Sequence, residues 1–538
     1  MATVSAIEPS FLDANSGAIC PPAVIDAMVR WINRGDPTAE HGPAQESRAM
    51  LAAFAQEIAE ECGFELTSDA PNSYSIVFTS GAAESNAAIV TGTARSFAAL
   101  TGKMPHIITS DADHPSLVQC CRRLAEEKYC HLTVLLSAAE GPARGRVTAE
   151  QVGEALRPNT CLISIVAANG DTGVVNDLAE IAKVARAAHV PFHTDAAQMF
   201  GKLSFRPRKL GVDAFSISFR KLQGPPGVGA LVMRRQLVEG YNLSAQIFRE
   251  GFENIPALGA SFTAFRIAMK DRKAKNANLR RLRAALRTTL ESRLTCFDVD
   301  EHPGDAKPSM DGGITVPPPS RKGTPAALAA IQKAKPVIFW VTPEVRIKSS
   351  GELVDELDPV LPNTLLFAVR MPQFSSRLAL GALERRGAVV GRVAGTRCAP
   401  TALSAALLRV SFSDYSSIND VKKFLIALLD ALKGTECLTD DRPVKSVGLA
   451  PYAPPPTTRV VSYVAPVPRR EKREKRDQRE ASQGEKGAGV SVPESSRPAR
   501  PSPDPPAPSR VPPEKVRFDH PKPRTASRTQ GRHRRRQE

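Results

Sequence analysis

The run Ser216-Ile-Ser-Phe-Arg-Lys-Leu-Gln-Gly-Pro-Pro-Gly-Val-Gly-Ala230 decides how the chain reads. Ala214–Ser218 is a short apolar, strand-like segment, and Lys221 stands between it and a Gly-Pro-rich turn. An amine held at the end of a buried strand loses solvation, which disfavours the ammonium form and leaves a nucleophile able to form a Schiff base. Upstream, the apolar run Pro191-Phe-His-Thr-Asp195 closes on a carboxylate. Asp195 is poorly solvated there and needs a cationic partner, such as a protonated heterocyclic nitrogen.

Two further stretches carry chemistry. In Phe78-Thr-Ser-Gly-Ala-Ala-Glu-Ser-Asn86 a strand ends and a small-residue loop opens a helix. The N–H groups of Gly81, Ala82 and Ala83 then sit at the positive end of a helix dipole, where a phosphate is well placed. Arg397-Cys398 follows the strand-like Gly387-Ala-Val-Val390 in a Gly-rich loop, and cationic neighbours there favour a thiolate.

Around these stretches, short β-rich runs alternate with helical patterns. Ser75–Phe78, His106–Thr109, Leu132–Leu136 and Leu162–Ala167 read as strands, with helix-length segments Ala87–Leu100, Ser116–Lys128, Ala149–Leu156 and Leu178–Ala188 between strands. The alternation predicts an α/β fold with a mostly parallel sheet covered on both faces. Residues 1–290 form the expected large domain with an N-terminal arm. The basic helix Asn278–Ser292 leads into a smaller α/β domain, 291–438. Within that domain, about 303–353 is rich in Pro, Gly and Ser, punctuated by the strand-like Pro336-Val-Ile-Phe-Trp-Val341, and reads as a surface insertion.

Residues 439–538 are a basic, Pro-rich tail with too few apolar groups to offset chain entropy, and they read as disordered. From Asp441 onward there are 23 basic and 11 acidic residues, so +12 of the chain's +16 lies there. The remaining chain, with 49 basic and 45 acidic groups, is nearly neutral, so the high pI says nothing about the folded body. Clusters Arg469–Arg476 and Arg532–Arg536 are candidate nuclear-localisation, nucleic-acid or protein contacts, although no aromatic residues interleave with them. No run of 18 apolar residues exists, no basic residue precedes Arg30, and the nine cysteines form no CxxC pair. A membrane span, a secretory leader, a disulfide framework and a metal site are therefore not expected, and the setting reads as reducing and cytoplasmic.

Taken in order, the motifs resemble the class V, fold-type I pyridoxal-phosphate (PLP) enzymes, and among them the NifS-like cysteine desulfurases. The resemblance runs from Leu12-Asp-Ala-Asn15 and Asp36-Pro-Thr-Ala-Glu-His41 through Thr79–Asn86, Ser110-Asp-Ala-Asp-His114, Asn169-Gly-Asp-Thr-Gly173 and Asp195–Gln198. It continues through Lys221–Leu231, Glu253-Asn-Ile-Pro256, Leu361-Pro-Asn-Thr364 and Leu408-Arg-Val-Ser-Phe412.

The resemblance implies a role for each matching residue. Lys221 carries PLP as a Schiff base and moves the substrate's α-proton. Asp195 pairs with the pyridinium nitrogen, so that the ring can act as electron sink. Gln198 donates to the phenolic oxygen, with Asn169 beside it, and His114 stacks on the ring as acid or base. Gly81, Ala82, Ala83 and Ser218 hold the phosphate, and Arg409 forks the substrate carboxylate. Cys398 takes sulfur from L-cysteine, or a related amino acid, as a persulfide for an acceptor protein. A homodimer is implied as well. The chain departs from the family pattern at Ala83, where a threonine is usual, and at Arg220, where a histidine is usual and where the guanidinium could make a substitute phosphate contact. At Phe252 it lacks the family threonine that reaches the partner's phosphate. The expected activity is conversion of L-cysteine to L-alanine. The rival readings are another class V reaction (selenocysteine lyase or molybdenum-cofactor sulfurase), or a degenerate scaffold whose tail does the binding.

Overall fold

The computed structural model describes residues 10–433, apart from 18, 35, 67–72, 244–252, 302–306, 309–313, 316–335, 345–358, 372–373, 394–395, 400–402 and 404–405. The tail 439–538, Phe252 and most of the span 303–353 lie outside the described residues.

The chain starts with β1 (Ser10–Leu12), α1 (Pro22–Trp31) and α2 (Gly42–Cys62). The main alternation follows: β2 (Tyr74–Thr79), α3 (Ala82–Thr101), β3 (His106–Ser110), α4 (Pro115–Glu126), β4 (His131–Leu135), α5 (Ala149–Ala155), β5 (Thr160–Ser164), α6 (Leu178–Ala187) and β6 (Phe192–Asp195). A short α7 (Pro207–Leu210), β7 (Ala214–Ser218), β8 (Gly229–Arg234) and α8 (Arg235–Gly240) complete it. These strands make a seven-stranded sheet in the order β2-β8-β7-β6-β5-β3-β4, parallel except for β8.

Neighbouring residues on these strands serve opposite faces, as the pleat requires. Ile108, Ile163, Phe215 and Val232 enter one core, while Ile107, Leu162, Ala214 and Leu231 enter the other. Because both faces are covered, the strands read as continuous apolar runs. The strand expected over Leu162–Ala167 is regular only to Ser164, although Ile165 N and Ala167 N still donate to His193 O and Asp195 O of β6 before Ala168 bridges Val175 at the Asn169 turn.

β8 is absent from the strands read out of the sequence. It begins on Gly229, which looks like a continuation of the turn, yet it pairs with both β2 and β7. A Cβ on Gly229 would lie 2.5 Å from Ile217 O and 2.6 Å from Gly81 Cα. The glycine is therefore what lets the β2–α3 loop pack onto β8. Gly229→Ala is expected to cost on the order of 1–3 kcal/mol by overpacking against rigid backbone, read as a lowered midpoint in urea unfolding.

The second sheet, β1-β14-β15-β13-β12-β9, uses β9 (Thr295–Asp298), β12 (Val337–Trp340), β13 (Thr364–Arg370), β14 (Ala388–Arg392) and β15 (Leu407–Ser411), with β10 (Lys307–Pro308) and β11 (Ile314–Thr315) as a separate pair. The helices α9 (Ile255–Met269) and α10 (Arg272–Arg293) precede β9, α11 (Ser376–Arg385) lies between β13 and β14, and α12 (Ile418–Lys433) follows β15. Two findings correct the expected organisation. The first strand, β1, pairs in this second sheet with β14. Val337–Trp340, inside the span read as a surface insertion, is a wholly buried strand between β9 and β13. The segment reads as strand-like in the sequence, but its four apolar side chains serve both faces of the sheet, which makes it core and not surface.

Candidate active site

Asp195 and Ser218 end β6 and β7, His114 and Asn169 follow β3 and β5, and Gly81 follows β2. All five therefore sit beyond the carboxyl ends of parallel strands, where open α/β sheets place their ligands.

Lys221 lies on a single 3₁₀ turn, Phe219–Leu222. Phe219 pins that turn by packing its ring, tilted by 42°, against Phe54 at 4.8 Å between ring centres, and buried Leu222 packs on Gly201. Lys221 Nζ donates to Asn15 O at 2.5 Å and to Ser16 O at 3.1 Å. Burial brings its pKa down to about 8, and the charges of Arg220 and Arg409 act in the same direction. A neutral amine is thus available at far lower pH than for a free lysine.

Asp195 is fixed from two sides. Asn86 Nδ2 donates to its Oδ2 at 2.7 Å, and Ala197 N donates to its Oδ1 at 2.9 Å. A hydrogen bond to a charged group contributes about 1.5–3 kcal/mol, so Asn86 is the main positioning residue for this carboxylate. It lies in the quoted Thr79–Asn86 motif, but only the fold shows that it reaches Asp195. In the same motif Gly81 is the N-cap of α3, with φ +152° and no atom within 4 Å of a would-be Cβ, and no side chain caps the helix. The first N–H groups of α3, including those of Ala82 and Ala83, face this open cradle without intrahelical partners.

Arg409 is not free to receive a ligand by both prongs. Nη2 donates to Asp13 Oδ1 at 2.7 Å and to Ser16 Oγ at 2.6 Å, and Nη1 is bonded to Asp171. Asp13 is largely buried, whereas Asp171 is about half exposed and is the exchangeable partner. Asn169 is likewise engaged. Its Nδ2 donates to Ala112 O at 2.9 Å, and its Oδ1 accepts from the N–H groups of Asp171 and Thr172 at 2.9 and 2.8 Å.

Asn15 ties these parts together. Its Nδ2 donates to Gly170 O and Thr364 Oγ1, its Oδ1 accepts from Lys202 and Asn363, and its carbonyl accepts from Gln198 and Lys221. The sequence showed Asn15 only as part of an opening motif. Its partners lie 155 to 349 residues away by side chain, which no local pattern reveals.

Three expected residues sit differently from the expectation. Arg220 is exposed, with its side chain lying over Gly17. The exposed His114 caps α4, accepting from Ser116 N at 3.2 Å. Cys398 was expected as a favoured thiolate. Instead it is 4% exposed in an apolar cluster with Val299, Phe339, Leu366 and Leu407, and burial pushes its thiol up despite Thr396, Arg144 and Arg397. Next to His114, Asp113 was overlooked. It accepts from Ser110 N and Ser110 Oγ, and burial together with Asp195 raises its pKa to about 8.

A raised carboxyl pKa makes stability depend on pH in a fixed direction. Between about pH 4, where the unfolded carboxyl ionises, and about pH 8, the native state holds one extra proton. The stability this group contributes is complete below that window and falls as pH rises through it. Asp113→Asn, which keeps an acceptor for Ser110, is therefore expected to melt progressively higher than wild type between pH 5 and pH 9, by calorimetry.

Among the described residues no cluster of His, Cys, Asp or Glu could hold a metal, and no helix is long and apolar enough to cross a membrane. The buried carboxylate, the open helix N-terminus and the desolvated amine fit PLP by charge and donor type.

Residues 10–263 match the family model described as aminotransferase class-V. The chain is 32% identical over 317 residues to a cysteine desulfurase IscS of Anaeromyxobacter dehalogenans, covering 57% of this chain and 74% of that protein. It is 35% identical over 233 residues to a mitochondrial cysteine desulfurase of Drosophila melanogaster, covering 42% of this chain and 47% of that protein. A solved NifS-like protein shares the fold with a TM-score of 0.59 at 20% identity, over 79% of this chain and all but 1% of that one. A NifS-like protein from Rickettsia africae gives 0.58 at 19% identity, over 79% of this chain and 100% of that one.

Proposed function

The chain belongs to the class-V aminotransferase family, whose members depend on PLP, and we propose that it is a PLP-dependent cysteine desulfurase converting L-cysteine to L-alanine. The observation that carries this reading is the pairing of Lys221, an amine with a pKa near 8, with the buried, doubly held carboxylate of Asp195.

Bound between them, PLP supplies an electron sink for the charge that develops at the substrate's Cα. Asp195 holds the ring nitrogen protonated, Gln198 donates to the phenolic oxygen, and Gly81, Ala82, Ala83 and Ser218 hold the phosphate. Asn169 would support Gln198 there, and His114 would cover the ring. Arg409 exchanges Asp171 for the substrate carboxylate while Asp13 keeps it oriented. Lys221 Nζ takes the Cα proton. Cys398 Sγ, as thiolate, attacks the substrate sulfur. The Cβ–S bond breaks with its electron pair left on Cβ, which takes up a proton, and Lys221 Nζ returns its proton to Cα, so that alanine forms while the sulfur stays on Cys398 as a persulfide. An acceptor protein then removes it.

A homodimer is part of this reading. The outer face of α1 and its flanks expose Ile25, Met28, Val29 and Ile32, an apolar stripe suited to a second copy. The burial of Cys398 favours one rival, a class V reaction in which this thiol takes no part. The two are separated by incubating the PLP-loaded protein with L-cysteine and assaying alanine and protein persulfide. Equimolar formation of both supports the desulfurase. Alanine without persulfide favours the rival, and neither product rejects cysteine as substrate.

A further inference from the structure

We propose that Lys202 is a positioning residue of the lysine site, locking the Gln198 amide in one orientation and anchoring Asn15, whose carbonyl holds Lys221. The proposal rests on the roles given above to Gln198 and Lys221. Lys202 Nζ donates to Gln198 Oε1 at 2.8 Å and to Asn15 Oδ1 at 3.1 Å. An ammonium has donors and no acceptor, so both partner atoms must be oxygens. That constraint sets the Gln198 amide and, together with Asn363 Nδ2, the Asn15 amide. Gln198 has to turn its Nε2 toward Asn15 O, 2.9 Å away, which is the donor end that a phenolic oxygen requires. Asn15 has to turn its Nδ2 toward Gly170 O and Thr364 Oγ1, which fixes the carbonyl accepting from Lys221.

The surroundings leave little slack. A Cβ on Gly170 would lie 2.8 Å from Gln198 Nε2, so the amide is confined on that side. Gly201, at φ +78°, brings Leu222 of the lysine turn against the residue preceding Lys202. The Lys202 carbonyl is bonded by Asn276. Lys202 and Lys221 also line one cavity with Arg272 and Lys275, whose charges are taken up by Glu61 and Asp414. The Lys202 ammonium is thus held by two amide oxygens, of which Asn15 Oδ1 is shared with Asn363 Nδ2.

The donor-only requirement gives the test. Lys202→Arg keeps donors without an acceptor, Lys202→Gln keeps hydrogen bonding but allows either amide orientation, and Lys202→Met removes both. Burial and the Lys221 charge bring Lys202 down to about 7, so the comparison is made near pH 6, where the ammonium persists. Two quantities are read: PLP affinity by absorbance titration, and the rate at which an amine-arylating reagent labels Lys221 in the PLP-free protein, by peptide mass spectrometry. Met and Gln are expected to weaken PLP about five- to tenfold and to speed Lys221 labelling by a similar factor, the worth of one hydrogen bond. Arg is expected to stay within about twofold of wild type, well inside that difference. If Gln matches wild type while Arg fails, the site needs only a snug fit, and the proposal is overturned. It is equally overturned if no variant changes the labelling. Where circular dichroism shows Met unfolded, the Gln and Arg pair decides alone. Absence of a lysine-dependent PLP band in wild type would instead reject the cofactor reading, and the labelling rates would still judge Lys202.

Discussion

Cys398→Ala is expected to keep PLP and to lose persulfide formation completely, with alanine release falling at least on the order of 10³-fold, as when an enzyme loses its nucleophile. The side chain is small and its removal leaves only a modest gap in the cluster formed with Val299, Phe339 and Leu366. Loss of activity therefore cannot be charged to unfolding, which a thermal melt would reveal. The burial of the thiol adds a pH signature. Because burial pushes Cys398 above the ordinary thiol range, the reactive thiolate is scarce at neutral pH. Persulfide yield in a single turnover should rise steadily as the pH is taken from 7 to 9. A yield already flat at pH 7 would mean that the thiol leaves its apolar cluster before it reacts.

Asp195→Asn carries the second large effect, and it acts on both activity and stability. The two groups facing this carboxylate, Asn86 Nδ2 and Ala197 N, are donors. An amide in place of the carboxylate brings one oxygen and one NH₂ group, so one buried donor is left facing another. That costs about 1–3 kcal/mol of stability. The counter-charge for a pyridinium nitrogen is lost too. Removal of one preorganised electrostatic partner lowers kcat by about 10²–10³-fold, which sets the expected fall in alanine formation. Asp195→Glu keeps the charge but not the reach, and steady-state rates would place it between Asn and wild type. Equal activity of Asn and wild type would remove Asp195 from the mechanism.

The large sheet is legible in the sequence because its strands are buried on both faces. His106–Thr109, Pro191–Asp195 and Ala214–Ser218 carry short apolar or β-branched runs, interrupted only by His106, His193, Asp195 and two serines, between helical periods. β8 escapes because Gly229 serves a contact with Gly81 that exists only in three dimensions. Val337–Trp340 is legible as a strand, but its central place in the second sheet is not, because it is set in a stretch whose composition reads as a surface loop. At the site, single residues with a local signal are visible: Lys221 before a Gly-Pro turn, Asp195 at a strand end, Gly81 before a helix.

What stays hidden are the residues that hold these in place. Asn86, Asn15, Asp13 and Lys202 act across large sequence separations, and an isolated amide or lysine gives no local sign of such a partner. The state of Cys398 is hidden for the same reason. Its neighbours Arg397 and Arg144 are cationic, and on charge alone they favour a thiolate, but the apolar cluster around it outweighs them.

The most direct measurement is the absorbance spectrum of the purified protein titrated with PLP, wild type beside Lys221→Ala. Wild type should develop a band at about 390–430 nm that Lys221→Ala lacks, the mark of a cofactor carried on that lysine. Because the Lys221 pKa lies near 8, the rate of band formation should climb between pH 6 and pH 9 and then level off. A wild-type spectrum that stays equal to that of free PLP at saturating cofactor, or a band of equal size in Lys221→Ala, would contradict the account.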